Sequence, residues 1–160
     1  MSGITGEEKE RRRMKQNGEK PVWLSVISTS TADGDTDRTE FMTEGELIWE
    51  GEVPCLNYEE TEVSGMTGTT TTLRIEPEKV SVIRLGTINT MMEFEAGNSC
   101  MAVYKTPLGE VPMAIETRRI DIEKDDALNP ARVHMEYAIS SNGQEVTANT
   151  MDIEIKDRND

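Results

Sequence analysis

Five side chains of this sequence could do chemistry together if the chain folds as its apolar pattern implies: Tyr58, Glu60, Arg84, Met92 and Tyr104. Side chains of an extended strand alternate between its two faces. An inward Leu56 and Tyr58 therefore bring Glu60, and by the same parity Glu62, to the inner face. Val80 and Val82 carry Arg84 inward in the same way. A buried charge without a partner is costly, so an enclosed carboxylate and guanidinium would form either a structural ion pair or a clamp for a ligand. Tyr58, Tyr104 and Tyr137 could direct hydroxyls into the same space, or simply pack with a wet tip. Met92 belongs with Met91, Met101, Met113, Met135 and Met151 among ten methionines that fall largely at apolar strand positions. Thioethers fill irregular cores, and they also line pliable sites for apolar molecules.

Other chemistries lack their residues. His134 alternates with the apolar set of its segment, alongside Glu136 and Ala138, which turns it toward solvent. With a single histidine, and with Cys55 and Cys100 far apart in sequence, zinc-ligand spacing is absent. No serine sits in a Gly-x-Ser-x-Gly elbow, and no glycine-rich loop opens a helix to cradle phosphate. The motifs thus dictate no catalytic residue, no metal and no cofactor. An enzyme would have to use Glu60 as acid or base with Arg84 as its electrostatic partner.

The elements that must position these residues follow a period of two from Pro21 onward. Val22, Leu24 and Val26 alternate with Trp23, Ser25 and Ile27, and Ala32-Asp33-Gly34-Asp35 supplies a turn. Phe41 to Trp49 form a second strand, in which Gly45 marks a bulge. Leu56 to Val63 and Thr69 to Ile75 follow, separated by Ser64-Gly65-Met66-Thr67-Gly68. Val80–Leu85, Ile88–Phe94 and Cys100–Tyr104 continue the series. Val111 to Ile122 changes parity, which predicts a bulge near Thr117 to Arg119. Val133 to Ile139 and Met151 to Ile155 flank Asn142-Gly143, a strong short-range hairpin signal. Short turns and no helix long enough for a crossover predict an all-β antiparallel meander of about eight to ten strands. Closing it into a barrel removes the exposed edges, and a two-sheet sandwich is the alternative.

Residues 1–20 read differently. Six cationic side chains stand against four anionic ones, a local charge of +2, and apolar residues are almost absent from Thr5 to Lys20. Without an apolar stripe this segment reads as a flexible charged tail preceding a barrel domain over 21–158. A basic arm folding back on an acidic body is the functional alternative. The whole chain of 160 residues has 31 acidic against 17 basic side chains, a net charge of −14. Such a charge repels phosphates, which argues against nucleic acid and anionic membrane as partners. No apolar run approaches the roughly 20 residues of a membrane-spanning helix. Two lone cysteines and no secretory signal pattern at the N-terminus lead us to expect a cytoplasmic, reduced protein.

The stretch from Tyr58-Glu59-Glu60 through Arg84-Leu85-Gly86, Met92-Glu93-Phe94, Tyr104-Lys105-Thr106-Pro107-Leu108-Gly109, Thr117 and Tyr137 to Asn142-Gly143 resembles the YwiB-like family. These are bacterial proteins carrying a domain of unknown function. The resemblance covers nearly everything after the tail and implies a lipocalin-like, or calycin-like, β-barrel of cytoplasmic bacterial origin. It implies no activity and no catalytic residues. Neither Trp23 nor Trp49 lies in the Gly-x-Trp context of lipocalins, and no Arg-x-Tyr closes the chain as in fatty-acid-binding proteins. The expected function is therefore the binding of a small hydrophobic or amphipathic ligand by Tyr58, Glu60, Arg84, Met92 and Tyr104 in the barrel lumen. Two alternatives stand beside it: an acidic interaction module with no occupied cavity, whose protein partner the sequence does not indicate, and an enzyme with a Glu60–Arg84 site.

Overall fold

Alternation of apolar and polar side chains builds ten strands in the computed structural model, which describes Gly6 and residues 19–141 and 144–158. They are β1 (Lys20–Ala32), β2 (Asp35–Glu50), β3 (Val53–Glu59), β4 (Thr69–Ile75) and β5 (Lys79–Gly86), then β6 (Thr90–Glu95), β7 (Ser99–Thr106), β8 (Gly109–Lys124), β9 (Pro130–Ser141) and β10 (Gln144–Asp157). Of the expected tail over 1–20, Lys20 is already the first residue of β1; apart from Gly6 and Glu19 the rest of it, like the Asn142-Gly143 turn, lies outside the described residues.

All pairings are antiparallel, in the order β6-β5-β4-β3-β2-β1-β10-β9-β8-β7. The predicted meander is present, and pairing of β1 with β10, from Val22↔Asp157 to Thr31↔Ala148, bends it into a nearly closed barrel. Asp33 and Gly34 turn β1 into β2 with φ of 51° and 81°, the left-handed pair that a two-residue hairpin requires.

Inward side chains fill the barrel. Leu24, Leu47, Leu56, Leu73, Phe94, Ile115, Met135 and Ile153 each keep under 2 % of their surface exposed, and the Phe94 and Tyr137 rings meet edge-on at 4.7 Å. Burying each such side chain stabilises the fold by about 1.5–3 kcal/mol relative to leaving it in water. A hollow lumen would wet these residues, so at this level the barrel holds a packed core rather than a binding cavity.

Three local expectations are corrected. Gly45 is not a bulge, since its ladder runs unbroken between Val22 and Tyr58. A Cβ there would lie 2.7 Å from Leu24 Cδ1 and 2.9 Å from the Asn57 carbonyl oxygen, so glycine admits a close approach. The third strand stops at Glu59 instead of reaching Val63. Glu62 then belongs to a turn, in which the Gly65 amide donates to the Glu62 carbonyl, and it is exposed instead of sharing the face of Glu60. The predicted bulge in β8 is present, between Thr117 and Arg119.

Candidate functional site

Glu60 follows the last residue of β3, and its backbone amide donates to the Thr69 carbonyl at 2.8 Å, which holds it at the barrel wall. On β4, Thr69 and Thr71 alternate inward with Leu73 and Ile75. Thr71 thereby donates its hydroxyl to Glu60 Oε2 at 2.5 Å. Arg84, inward on β5 after Val80 and Val82, places Nε 3.7 Å from the same carboxylate oxygen. The pair is enclosed, with side-chain exposure of 9 % for Arg84 and 1 % for Glu60. Tyr58 lies beside it. Burial, and then the charge of Glu60, push its phenol well above the ordinary tyrosine range, so it stays neutral. Burial also raises Tyr137, against the opposing pull of Arg84.

Three of the five sequence-predicted residues, Tyr58, Glu60 and Arg84, therefore come together. Met92 pairs with Val82 and is part of the packed core. Tyr104 shares the parity of Ala102 but is only half-buried, and it makes no hydrogen bond or ring contact with the Glu60–Arg84 group among the described residues. The hydroxyls of Thr71 and Thr90 were missed. Their inward parity was the available signal, but a threonine in a strand, whether in the run 69–72 or alone at 90, reads first as strand propensity.

The feature that gives Arg84 access is a parting of the wall. β6 and β7 are consecutive and joined by a short turn at Gly97, yet they form no ladder. One end of the gap is pinned by the Asn89–Lys105 bridge, whose two backbone hydrogen bonds are both 2.9 Å. At the other, Gly97 donates to the Thr117 carbonyl at 3.0 Å, and the Thr117 amide donates to Asn98 at 3.1 Å. Thr117 is also the residue at which the β8–β9 register shifts. Between the pins lies a cleft of about 560 Å³, lined by Ile83, Met91, Met101 and Val103 on the outer face and by Arg84 and Thr90 beneath.

Gly86 sets the first pin. Its φ is 138°, and a Cβ would sit 2.2 Å from the Gly68 carbonyl oxygen, so no other residue fits. The Asn89 side chain then brackets it, accepting from the Gly86 amide at 3.1 Å and donating to the Gly86 carbonyl at 2.7 Å. Arg84-Leu85-Gly86 and Tyr104-Lys105-Thr106, far apart in sequence, thus meet at one end of the window.

Two other polar clusters are already engaged. A second depression, of about 620 Å³, lies over Trp23, Glu44 and Glu46. There Arg158 pairs with both carboxylates, at 3.2 and 3.3 Å. On the outer face of β9, His134 is held by Asp152 at 2.9 Å and Glu136 at 3.0 Å. Among the described residues no group of three His, Cys, Asp or Glu side chains is arranged to hold a metal ion. Cys55 and Cys100 are both free thiols, and burial pushes Cys55 up to about 11.

A comparison with known proteins places this geometry. The chain is 30 % identical over 114 residues to the uncharacterised β-barrel protein YwiB of Bacillus subtilis, a match covering 71 % of this chain and 77 % of that protein. The crystal structure of the Bacillus subtilis ywiB protein superposes with a TM-score of 0.73 at 24 % identity, over 88 % of this chain and 94 % of the other. Residues 24–153 match the family model described as a domain of unknown function, DUF1934, and the chain belongs to that family.

Proposed function

We propose that this protein binds a small, partly apolar ligand, and that it does so at the window between β6 and β7 rather than along the barrel axis. The observation that carries this reading is the parting of two consecutive strands around an apolar cleft. Unpaired edges are normally covered or charged, yet this one is flanked by exposed Leu85, Met91, Met101 and Val103. The cleft volume lies within the roughly 300–1,000 Å³ typical of small-molecule sites. Methionines make its surface adaptable in shape. The two free thiols support a reducing, cytoplasmic setting for this activity. An enzymatic role for Glu60 is disfavoured by its enclosure, because its side chain is 1 % exposed, is held by Thr71 and Arg84, and is not among the residues lining the cleft.

Native mass spectrometry of the full chain, purified from the organism that encodes it, tests the reading. A retained small mass is expected in the natural protein and its loss in Met91→Asp, a change at an exposed side chain that leaves the core intact. A bare chain in both would remove the proposal and favour a protein partner for the same apolar face.

A further inference from the structure

We infer that the ligand is an amphiphile with an anionic head, held by Arg84, Thr90 and Lys105 at the Asn89 end of the window, its apolar chain lying along Met91, Val103 and Met101. This rests on the window being a ligand site, and it adds the chemical class and the orientation.

The polar groups of the window are unevenly spread. Arg84 Nε is buried without a hydrogen-bond partner, and the contact with Glu60 at 3.7 Å is the one ion pair Arg84 makes among the described residues. A guanidinium carries five donors in a fixed fork, so most of this one's capacity is unspent. Thr90, directly across the ladder from Arg84, has a buried hydroxyl that also lacks a partner. Both residues are more than nine-tenths buried, and both line the cleft. Lys105 joins them from β7, exposed and with no carboxylate partner among the described residues. The bridge to Asn89 fixes its height on the wall beside that of Arg84 and Thr90.

At the opposite end the buried Thr117 hydroxyl also lacks a partner, but Thr117 does not line the cleft and no cation does so there. Glu93 is the carboxylate lining the cleft, and Lys79 already neutralises it at 3.4 Å. Between the two ends stand the side chains of Met91, Val103 and Met101. Two cationic donors and a hydroxyl at one end of an apolar trough select a molecule with one charged end. Hydrogen bonds to a charged acceptor are about twice as strong as neutral ones, so an anion gains more here than an alcohol or an amide. Glu60 keeps the Thr71 hydroxyl, so the arriving anion completes the coordination of Arg84 without stripping Glu60 of its partners.

The net charge of −14 works against any anion at long range, and this makes the test sharp. Titrations of the full chain with decanoate, decan-1-ol and decylamine, each followed by calorimetry, compare three heads on one tail. Decanoate is expected to bind about tenfold more tightly than the alcohol. Lys105→Gln and Thr90→Val should each remove part of that preference while leaving alcohol affinity unchanged. Arg84→Met should abolish the preference, and the two milder variants keep the test decisive if Arg84→Met fails to fold. Equal binding of decanoate and decan-1-ol, or tighter binding of decylamine, would overturn the anionic head while leaving the window a ligand site. Binding of none of the three would take the ligand-site reading down with it.

Discussion

At the scale of single residues, the enclosed Glu60–Arg84 pair is where one substitution should matter most. Removing Arg84 leaves a carboxylate at 1 % exposure with hydroxyl partners only. Breaking such a pair costs about 3–5 kcal/mol, far above the roughly 1 kcal/mol or less of an exposed bridge such as Arg38–Glu40. Arg84→Met should therefore lower unfolding free energy by that larger amount in urea titration. Adding Glu60→Gln should restore part of it, because the amide needs no counter-charge. Additive losses in the double-mutant cycle would show that the two side chains do not interact. Parity was enough to bring Tyr58, Glu60 and Arg84 together from sequence, because each continues an inward apolar series. It could not separate them from Met92 and Tyr104, which share the inward face. Period two fixes the face of a strand but not the height at which a residue sits on the barrel wall. Thr71 and Thr90 were illegible for another reason, since a threonine in a strand packs as well as it hydrogen-bonds.

At the scale of elements, the window depends on a few backbone contacts that join distant parts of the chain. Asn89→Ala removes both side-chain hydrogen bonds to Gly86 and should cost about 1–3 kcal/mol, with faster hydrogen exchange at the Lys105 amide, which donates to the Asn89 carbonyl. Unchanged exchange at Lys105 would mean that the side chain does not hold the pin. The period-two pattern gave the strands and the β8 bulge, but a short Gly97 turn between apolar strands reads as an ordinary hairpin. Here the backbone groups of Gly97 and Asn98 are taken by Thr117, twenty residues beyond Gly97 in sequence, and no local signal carries that. The outer face of β8, β9 and β10 yields a pH-dependent prediction. Burial opposes charging His134, but hydrogen bonds with Glu136 and Asp152 and their negative charges outweigh it, so its pKa lies above 6.5. A raised folded-state pKa adds stability that is fully present below about pH 6.5 and lost as pH rises through the folded value. Arg119 and Arg132 also contact these carboxylates, at 3.6 and 2.7 Å, and temper the gain to under about 1 kcal/mol. The stability difference between the natural protein and His134→Gln should accordingly shrink from pH 5.5 to 8.5 in urea unfolding; a constant difference would show that His134 does not titrate between its carboxylates.

At the scale of the whole molecule, two properties dominate: a barrel closed by its first and last described strands, and a large uncompensated negative charge. The closure was legible as a class, because a long meander with apolar inward faces has few other ways to hide its edges. The partner strands β1 and β10 were not legible, since nothing in their own patterns distinguishes that pairing from a sandwich. The charge was legible outright, and its thermodynamic sign can be worked out. Fourteen net negative charges repel within the compact state, an effect that salt screens. Salt also weakens exposed bridges such as Arg118–Glu145 and Arg119–Asp121, which acts in the opposite direction. Each exposed bridge contributes at most about 1 kcal/mol, and often nothing measurable. The enclosed Glu60–Arg84 pair is screened much less, so repulsion among 31 acidic side chains facing 17 basic ones should prevail. Raising sodium chloride from about 10 mM to about 0.15 M shortens the screening length from roughly 30 Å to roughly 8 Å. We expect the melting temperature to rise over that interval by a few degrees, which for a chain of this size corresponds to about 1 kcal/mol. A melting temperature that falls instead would mean that the surface bridges act as a cooperative network that outweighs the net charge.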